Sequence, residues 1–496
     1  MSNARLALVP FGVALIVAGV TRAWFAFDGL FSQDAYAYFN FARAIPPHLW
    51  HGAPLPDLYW PRGYPLAVAL LLPLTDGGTS AGQLVSALAC AGAAAATTGL
   101  VRALLGHKAA LKDGGAPSSP AALAAGLAVA CTGVTLRYSQ LVMADGLAVG
   151  LVAAALLCAV RFANGGGGGW LIGCAAALAW GTISRWLVGL LALPLAFHLF
   201  PALRRRPGAS GWAAAAALAG LAILVPQLVV AHAIPQSFAQ HEWVQSWSLA
   251  HAFRREFDTP EGHERYRMPV ALFYLARLGW PDAFFPTLAV FVVAGLVVLA
   301  RARDWRALAL LAGWPAAVLI FLAGIPYENP RFLLPTLPAI AALAGIGFGA
   351  AWDSAGDSWR RPATITLAAS LAVGLAFGAR EHGRQVARKN ADLDLIAWTL
   401  ARVPAGADLL MAGPTLAFGF YGQRSAAALF SLTPAEIEGL VRGRRPLYVL
   451  ADVAELDGAG PAVGSSVNMA RLRRDPGLVA IGEHPPYTLF VARGRP

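Results

Sequence analysis

Six short stretches of the chain combine residue types that can move a proton or hold a phosphate. In DGLFSQDAYAYFNFARAI (28–45), Asp34 precedes Tyr36, Tyr38, Phe39 and Phe41. A carboxylate in so aromatic a setting is either a solvated or helix-capping residue or, held in a low-dielectric site, a base for a nucleophilic hydroxyl. Asp145, in SQLVMADGLAVG, heads an apolar run. An ionisable residue at membrane depth points to function, and a helix N-terminus equally favours a carboxylate. Arg62 in YWPRGYP and Arg185 in GTISRW either snorkel to headgroups or grip a phosphate bidentately. Tyr36 and Tyr64 supply aromatic faces on which a sugar ring can lie, as does Trp243 in FAQHEWVQSW. His241 and Glu242 in that stretch make a weak metal pair, because His251 falls at the wrong spacing for HExxH. Glu328 and Arg331, in YENPRFLLPTLP, either pair with each other or face a ligand.

The elements that must position these residues are membrane helices. Of 496 residues, 57% are hydrophobic and 13% charged, with a mean hydropathy of +0.57. Apolar runs of about 18 to 25 residues recur, the length that crosses a hydrocarbon layer about 30 Å thick. The first is read as a retained span, since no cleavage pattern follows it. Eleven spans are expected near 6–24, 80–103, 120–137, 141–161, 170–184, 186–202, 211–233, 284–300, 307–325, 332–351 and 363–379. LAVALLLPL (66–74) is too short to cross and reads as interfacial or re-entrant.

With a cytoplasmic N-terminus, the basic clusters at 102–112, 161, 204–206, 301–306 and 360–361 all lie inside, so the net charge of +11 follows from topology and implies no nucleic acid. Arg22, Arg43 and Arg62 lie outside, against the rule, and ask for an anionic partner. The orientation also gathers Asp34, Asp145, Arg185, the loop 234–283 and YENPR on the outer face. Cys90, Cys131, Cys158 and Cys174 read as packing residues. NGGGGGW (164–170) has neither a preceding strand nor GK[ST], and reads as a flexible turn. Beyond about residue 381, ADLLMAG, RRPLYVLAD and GLVAIGEHPPYTLFVARG read as strands, with a helix at LTPAEIEGLVRG capped by Thr433 and Glu436. The expected organisation is a transmembrane region over 1–380, with outer loops 25–79 and 234–283, followed by a small extracytoplasmic α/β domain over 381–496.

In order and sidedness these motifs resemble the GT-C superfamily of integral membrane glycosyltransferases, in the branch of protein O-mannosyltransferases and the lipid A aminoarabinose transferase. The matching residues are the Asp34 loop, YWPRGYPLAVALLLPL, LVMADGLAVG and NPRFLLPTLPAIAALAG, within a resemblance that covers about residues 5 to 380. It implies a polytopic helical fold and an inverting transferase moving a sugar from a polyprenyl-phosphate donor to a lipid, glycan or protein hydroxyl. The active site would face the periplasm or cell exterior from the inner or plasma membrane. It also implies Asp34 as general base, Arg62, Arg185 and Arg331 on the donor phosphate, and Asp145 orienting acceptor or sugar. Tyr36, Tyr64, His241, Glu242, Trp243 and Glu328 are the expected acceptor or sugar contacts. Many relatives carry two adjacent acids in the first loop. Here Gln33 and Ala35 flank Asp34, so a divalent cation is compatible with the site without being required. The rival class is a transporter or flippase of lipid-linked sugars, disfavoured by the absence of internal repeats.

Overall fold

The computed structural model describes residues 3–112, 119–233, 242–259, 262–279, 288–354, 357–443, 445–458 and 464–492. The chain divides into two compact units, one of residues 1–30, 38–252 and 270–383, the other of 31–37, 253–269 and 384–496.

The first unit is a bundle of apolar helices, as the repeated hydrophobic runs require. Among the described residues, eight helices are long and apolar enough to cross a membrane, which makes this a multi-pass membrane protein. Three further expected spans are shorter: Ser119–Ala130, Gly168–Ser184 and Leu288–Arg301, of 12, 17 and 14 residues. The 66–74 run folds as the helix Gly63–Leu71 continued by a 3-10 turn, Leu72–Thr75. Helices Ser80–Lys112 and Ala144–Ala163 pack together at the centre, and Ser119–Ala130 packs on both Ser80–Lys112 and Leu337–Ser354.

The helical path breaks between residues 131 and 143. Thr132 caps the short helix Gly133–Tyr138, its hydroxyl accepting the Thr135 N–H, and Met143 is extended ahead of the helix Ala144–Ala163. A buried break exposes backbone carbonyls that need donors. Gln83 Nε2 donates to the Phe27 and Gln140 carbonyls at 2.9 and 3.1 Å, Ser86 Oγ to Leu141 at 2.7 Å, and Gln140 Nε2 to Ala18 at 3.0 Å. At the glycine-rich turn, Arg206 donates to the carbonyls of Gly166 at 2.9 Å and Ala163 at 3.4 Å, with its guanidinium 4.8 Å from the centre of the Phe162 ring.

In the second unit, strands β1 (Glu256–Thr259) and β2 (Gly262–Arg265) form an antiparallel hairpin. Strands β3 (Asp408–Ala412), β4 (Ala427–Ala428), β5 (Leu447–Asp452), β6 (Leu478–His484) and β7 (Tyr487–Ala492) form a mixed sheet of order β4-β3-β5-β7-β6. The β3–β4 and β3–β5 pairs are parallel, and the pairs made by β7 are antiparallel. Its core includes Leu410, Val449, Ile437, Met469 and Leu472. The helix Pro434–Val441 begins at Thr433 with both bonds of a capping box to Glu436. The helix Asp357–Leu400 continues well past the last expected span, crossing residues 380–381 without interruption.

Candidate active site

The buried break delivers Asp145 to the first turn of the helix Ala144–Ala163, where the unsatisfied N–H groups and the helix dipole favour a carboxylate. Its side chain is wholly inaccessible and pairs with Arg185, Nη2 to Oδ1, at 2.9 Å. Arg185 is presented by the end of another helix, Gly168–Ser184, in extended conformation before a 3-10 turn at Trp186–Leu191.

Two further arginines complete the cluster. The guanidinium of Arg185 lies 5.0 Å from the centre of the Phe332 ring and that of Arg331 lies 5.5 Å from the same ring. Arg137, over Tyr138 at 5.8 Å, is the third, and the Tyr138 phenol is within electrostatic reach of Arg137, Arg185, Arg331 and Asp145. Among the described residues, three guanidinium groups and one carboxylate surround that phenol, a mainly basic setting. A poorly hydrated setting of that composition suits an anion.

A partly open, mainly apolar cleft adjoins this charge. Tyr38, Trp60, Pro61, Arg185, Trp186, Leu322 and Phe332 line it, and about 50 Å³ of it is wide enough for water. Glycine makes the approach possible. A Cβ on Gly63 would stand 2.6 Å from Ser184 Oγ and 2.7 Å from the Ile183 carbonyl, so only glycine lets the YWPRGYP segment abut the Arg185 turn. Trp180 Nε1 donates to the Gly63 carbonyl at 3.2 Å across that contact. Arg62 lies 4.9 Å over Phe41, its backbone N–H donating to Gln227 Oε1 at 3.1 Å. Burial pulls the Arg62 guanidinium below its usual range while Asp57 opposes that shift. Tyr64 is fully buried, its hydroxyl 2.9 Å from the Gly82 carbonyl and 3.0 Å from Ser86 Oγ, which ties the short helix to the network beneath Asp145.

YENPR forms a second polar edge of the same unit. Tyr274 Oη donates to the Tyr327 carbonyl at 2.8 Å and accepts from the Asn329 N–H at 3.2 Å; the Asn329 side chain in turn accepts the Arg331 N–H at 3.1 Å. Glu328 has one buried oxygen with no hydrogen-bond partner among the described residues. Desolvation pushes its carboxyl up to about 7, with Arg277 rather than Arg331 as the opposing cation. A carboxyl raised from about 4.5 makes its stability contribution in full below that value and loses it as pH rises through about 7. Thermal midpoints of the purified protein are therefore expected to fall between pH 5 and pH 8, and Glu328→Gln to flatten that portion of the profile; an unchanged slope in the variant would remove Glu328 as its source.

Asp34 and Tyr36 belong to the second unit. The aromatic segment expected as loop is a helix, Ser32–His51, with Asp34 in its first turn and half-buried. Ser32, at φ +66°, is in the left-handed region, which is costly for a residue with a Cβ, by about 1–3 kcal/mol. Buried Tyr36 packs against Phe420 at 5.8 Å and edge-on against Tyr421 at 5.9 Å. Buried Lys389 holds the Tyr421 hydroxyl at 2.5 Å and lies 4.8 Å from the centre of its ring.

His241 lies outside the described residues, and of Glu242 and Trp243 the structure describes only backbone, Glu242 opening the short helix Glu242–Gln245. His251 spends Nδ1 on the Gly324 carbonyl at 2.9 Å. Among the described residues no group of three or more His, Cys, Asp or Glu gathers to hold a metal ion. Sequence reasoning missed Arg137. It lies at the outer end of the expected span 120–137, against the positive-inside rule, and the same test that singled out Arg62 would have found it.

Apolar helices, a charge cluster set at a helix break, and a small mixed-sheet module together define a multi-pass membrane protein with the GT-C fold. Solved structures similar to it include an ArnT and archaeal oligosaccharyltransferases. ArnT from Cupriavidus metallidurans, bound to undecaprenyl phosphate, aligns over 98% of both chains with a TM-score of 0.62 and 15% identity. The Archaeoglobus fulgidus oligosaccharyltransferase, in complex with Zn and sulfate, aligns over 91% of this chain and 68% of its own, with a TM-score of 0.58 and 12% identity. AglB from the same archaeon, with an inhibitory peptide and a dolichol-phosphate, aligns over 98% of this chain and 74% of its own, with a TM-score of 0.57 and 13% identity. No family model and no curated sequence matches the chain.

Proposed function

We propose that this protein is an inverting glycosyltransferase that moves a sugar from a polyprenyl-phosphate donor to an acceptor hydroxyl at the outer face of the cell's plasma or inner membrane. The observation that carries the reading is the clustering of Arg137, Arg185 and Arg331 with Asp145 beside an apolar cleft. A lipid-borne phosphate needs both surfaces: apolar walls for the chain and guanidinium groups for the head. The similar structures lend support, since that of ArnT holds undecaprenyl phosphate and that of AglB a dolichol-phosphate.

In this reading Asp34 accepts the proton of the acceptor hydroxyl as its oxygen attacks the anomeric carbon. The bond from that carbon to the phosphate oxygen breaks, and the phosphate leaves with the electron pair. Arg185 and Arg331, with Arg62 beside the cleft, neutralise the charge as it grows on the leaving group. Asp145 holds Arg185 in place, Tyr64 braces the network below it, and Tyr36, Trp243 and Glu328 serve the sugar or acceptor. The catalytic region is residues 1–380, and the α/β module over 381–496 stands outside the membrane; the acceptor is a lipid, glycan or protein.

Two measurements test this. Mass spectrometry of the lipid copurifying with the protein is expected to find polyprenyl phosphate or its glycosylated form. Purified protein given polyprenyl-phosphate sugar and envelope extract is expected to release free polyprenyl phosphate and a glycosylated acceptor. Movement of the donor between leaflets of a vesicle with no sugar transferred would instead establish a transporter.

A further inference from the structure

The α/β unit carries a cavity that the transferase reading does not use. The helices Pro434–Val441 and Gly464–Leu472 pack against each other. The length of the first, from Pro434 to Val441, and the C-terminal end of the second border a half-open cleft of about 460 Å³, within the usual range for a small-molecule site. Its floor is apolar, made in part by Ile437, Val441 and Leu472, and its rim carries Arg442, Arg471 and Arg474.

Basic residues at helix C-termini commonly answer the helix dipole, and this accounts for Arg442 and Arg471 taken singly. It does not account for Arg474, which lies two residues beyond the second helix. The neighbouring charges sharpen the contrast. Arg442 is paired with Glu438 at 3.4 Å, and Arg473 with Asp457 through both carboxylate oxygens at 2.7 and 3.4 Å. Asp475, the other acid on the rim, turns Oδ1 back to accept the Gly477 N–H at 3.0 Å. Within the run RLRRD one arginine is thus fully engaged. The side chains of Arg471 and Arg474 have neither a hydrogen bond nor an ion pair among the described residues. Two such guanidinium groups above an apolar floor suit a phosphate ester: the forks take the phosphate oxygens and the floor takes the less polar face of its substituent. The volume exceeds what a bare phosphate would fill and accommodates a sugar ring.

We propose that this cavity binds the phosphate ester of a small polyol, a sugar or glycerol, through Arg471 and Arg474, independently of the transfer chemistry. The phosphate could belong to a soluble phosphosugar or to a phospholipid headgroup, and the test separates these sources. Isothermal titration of the full-length protein in maltoside micelles is carried out with glucose 6-phosphate, glucose and inorganic phosphate. Saturable binding of glucose 6-phosphate is expected, tighter than for either of the other two. In Arg471→Gln/Arg474→Gln it is expected to weaken at least about 10-fold. Arg185→Gln, a change in the candidate active site, is expected to leave it intact. Displacement of the phosphosugar by added phosphatidylglycerol assigns the site to headgroups, and no displacement assigns it to soluble phosphosugars. Equal binding by the double variant at an unchanged melting temperature, loss only in Arg185→Gln, or equal affinity for glucose would each overturn the proposal.

Discussion

Asp34→Asn is expected to lower sugar transfer by about 10²–10⁴-fold, the range that a positioned general base contributes, without loss of folded protein. The substitution preserves the size and hydrogen-bonding reach of the side chain and removes its ability to take a proton. Asp34 stands in the first turn of the helix Ser32–His51, where a carboxylate also serves the dipole. That structural role is worth about 0.3–1 kcal/mol, and asparagine caps helices comparably well. The two roles therefore separate cleanly. A dipole role alone predicts a small change in melting temperature and near-normal turnover, whereas a base predicts the reverse. The buried neighbours Tyr36, Tyr38, Phe39 and Phe41 anchor the helix whatever occupies position 34, so donor binding should persist in the variant. Full transfer activity in Asp34→Asn would end the assignment.

What could be read from the sequence was what depends on local composition. Runs of apolar residues gave the helical membrane region, and alternating short strands around LTPAEIEGLVRG gave the C-terminal module with its Thr433–Glu436 cap, because caps and hydrophobic periods are decided within a few residues. The polar residues of TGVTLRYSQLVM placed an end between the expected spans 120–137 and 141–161 but did not reveal its burial, since its carbonyls are satisfied by Gln83 and Ser86, some 55 residues away. The helical state of 32–51 was masked by its aromatics and by Pro46–Pro47. The extension of Asp357–Leu400 was missed because hydropathy falls there while helix-forming residues continue. Asp145, Arg185 and Arg331 could each be singled out by a charge next to apolar sequence. That Arg185 and Arg331 share the Phe332 ring could not, because the contact spans nearly 150 residues of chain.

The ion pair at the heart of the cluster gives the second large effect. Removing one partner of a buried pair typically costs about 3–5 kcal/mol, because the other charge is left uncompensated. Here the two removals are expected to differ. Asp145→Ala removes the carboxylate that the described residues place beside Arg137, Arg185 and Arg331, whereas Arg185→Ala leaves Asp145 with two guanidinium groups still in the cluster. Asp145→Ala should therefore show the larger fall in thermal midpoint, and Asp145→Leu/Arg185→Met should recover much of the loss in stability without recovering transfer. Added polyprenyl phosphate discriminates further. Its charge can stand in for the missing carboxylate, so it should raise the midpoint of Asp145→Ala by more than that of the unaltered protein, and that of Arg185→Ala by less. Equal stabilisation of all three proteins would show that the lipid phosphate does not meet this cluster, and the donor would have to bind elsewhere.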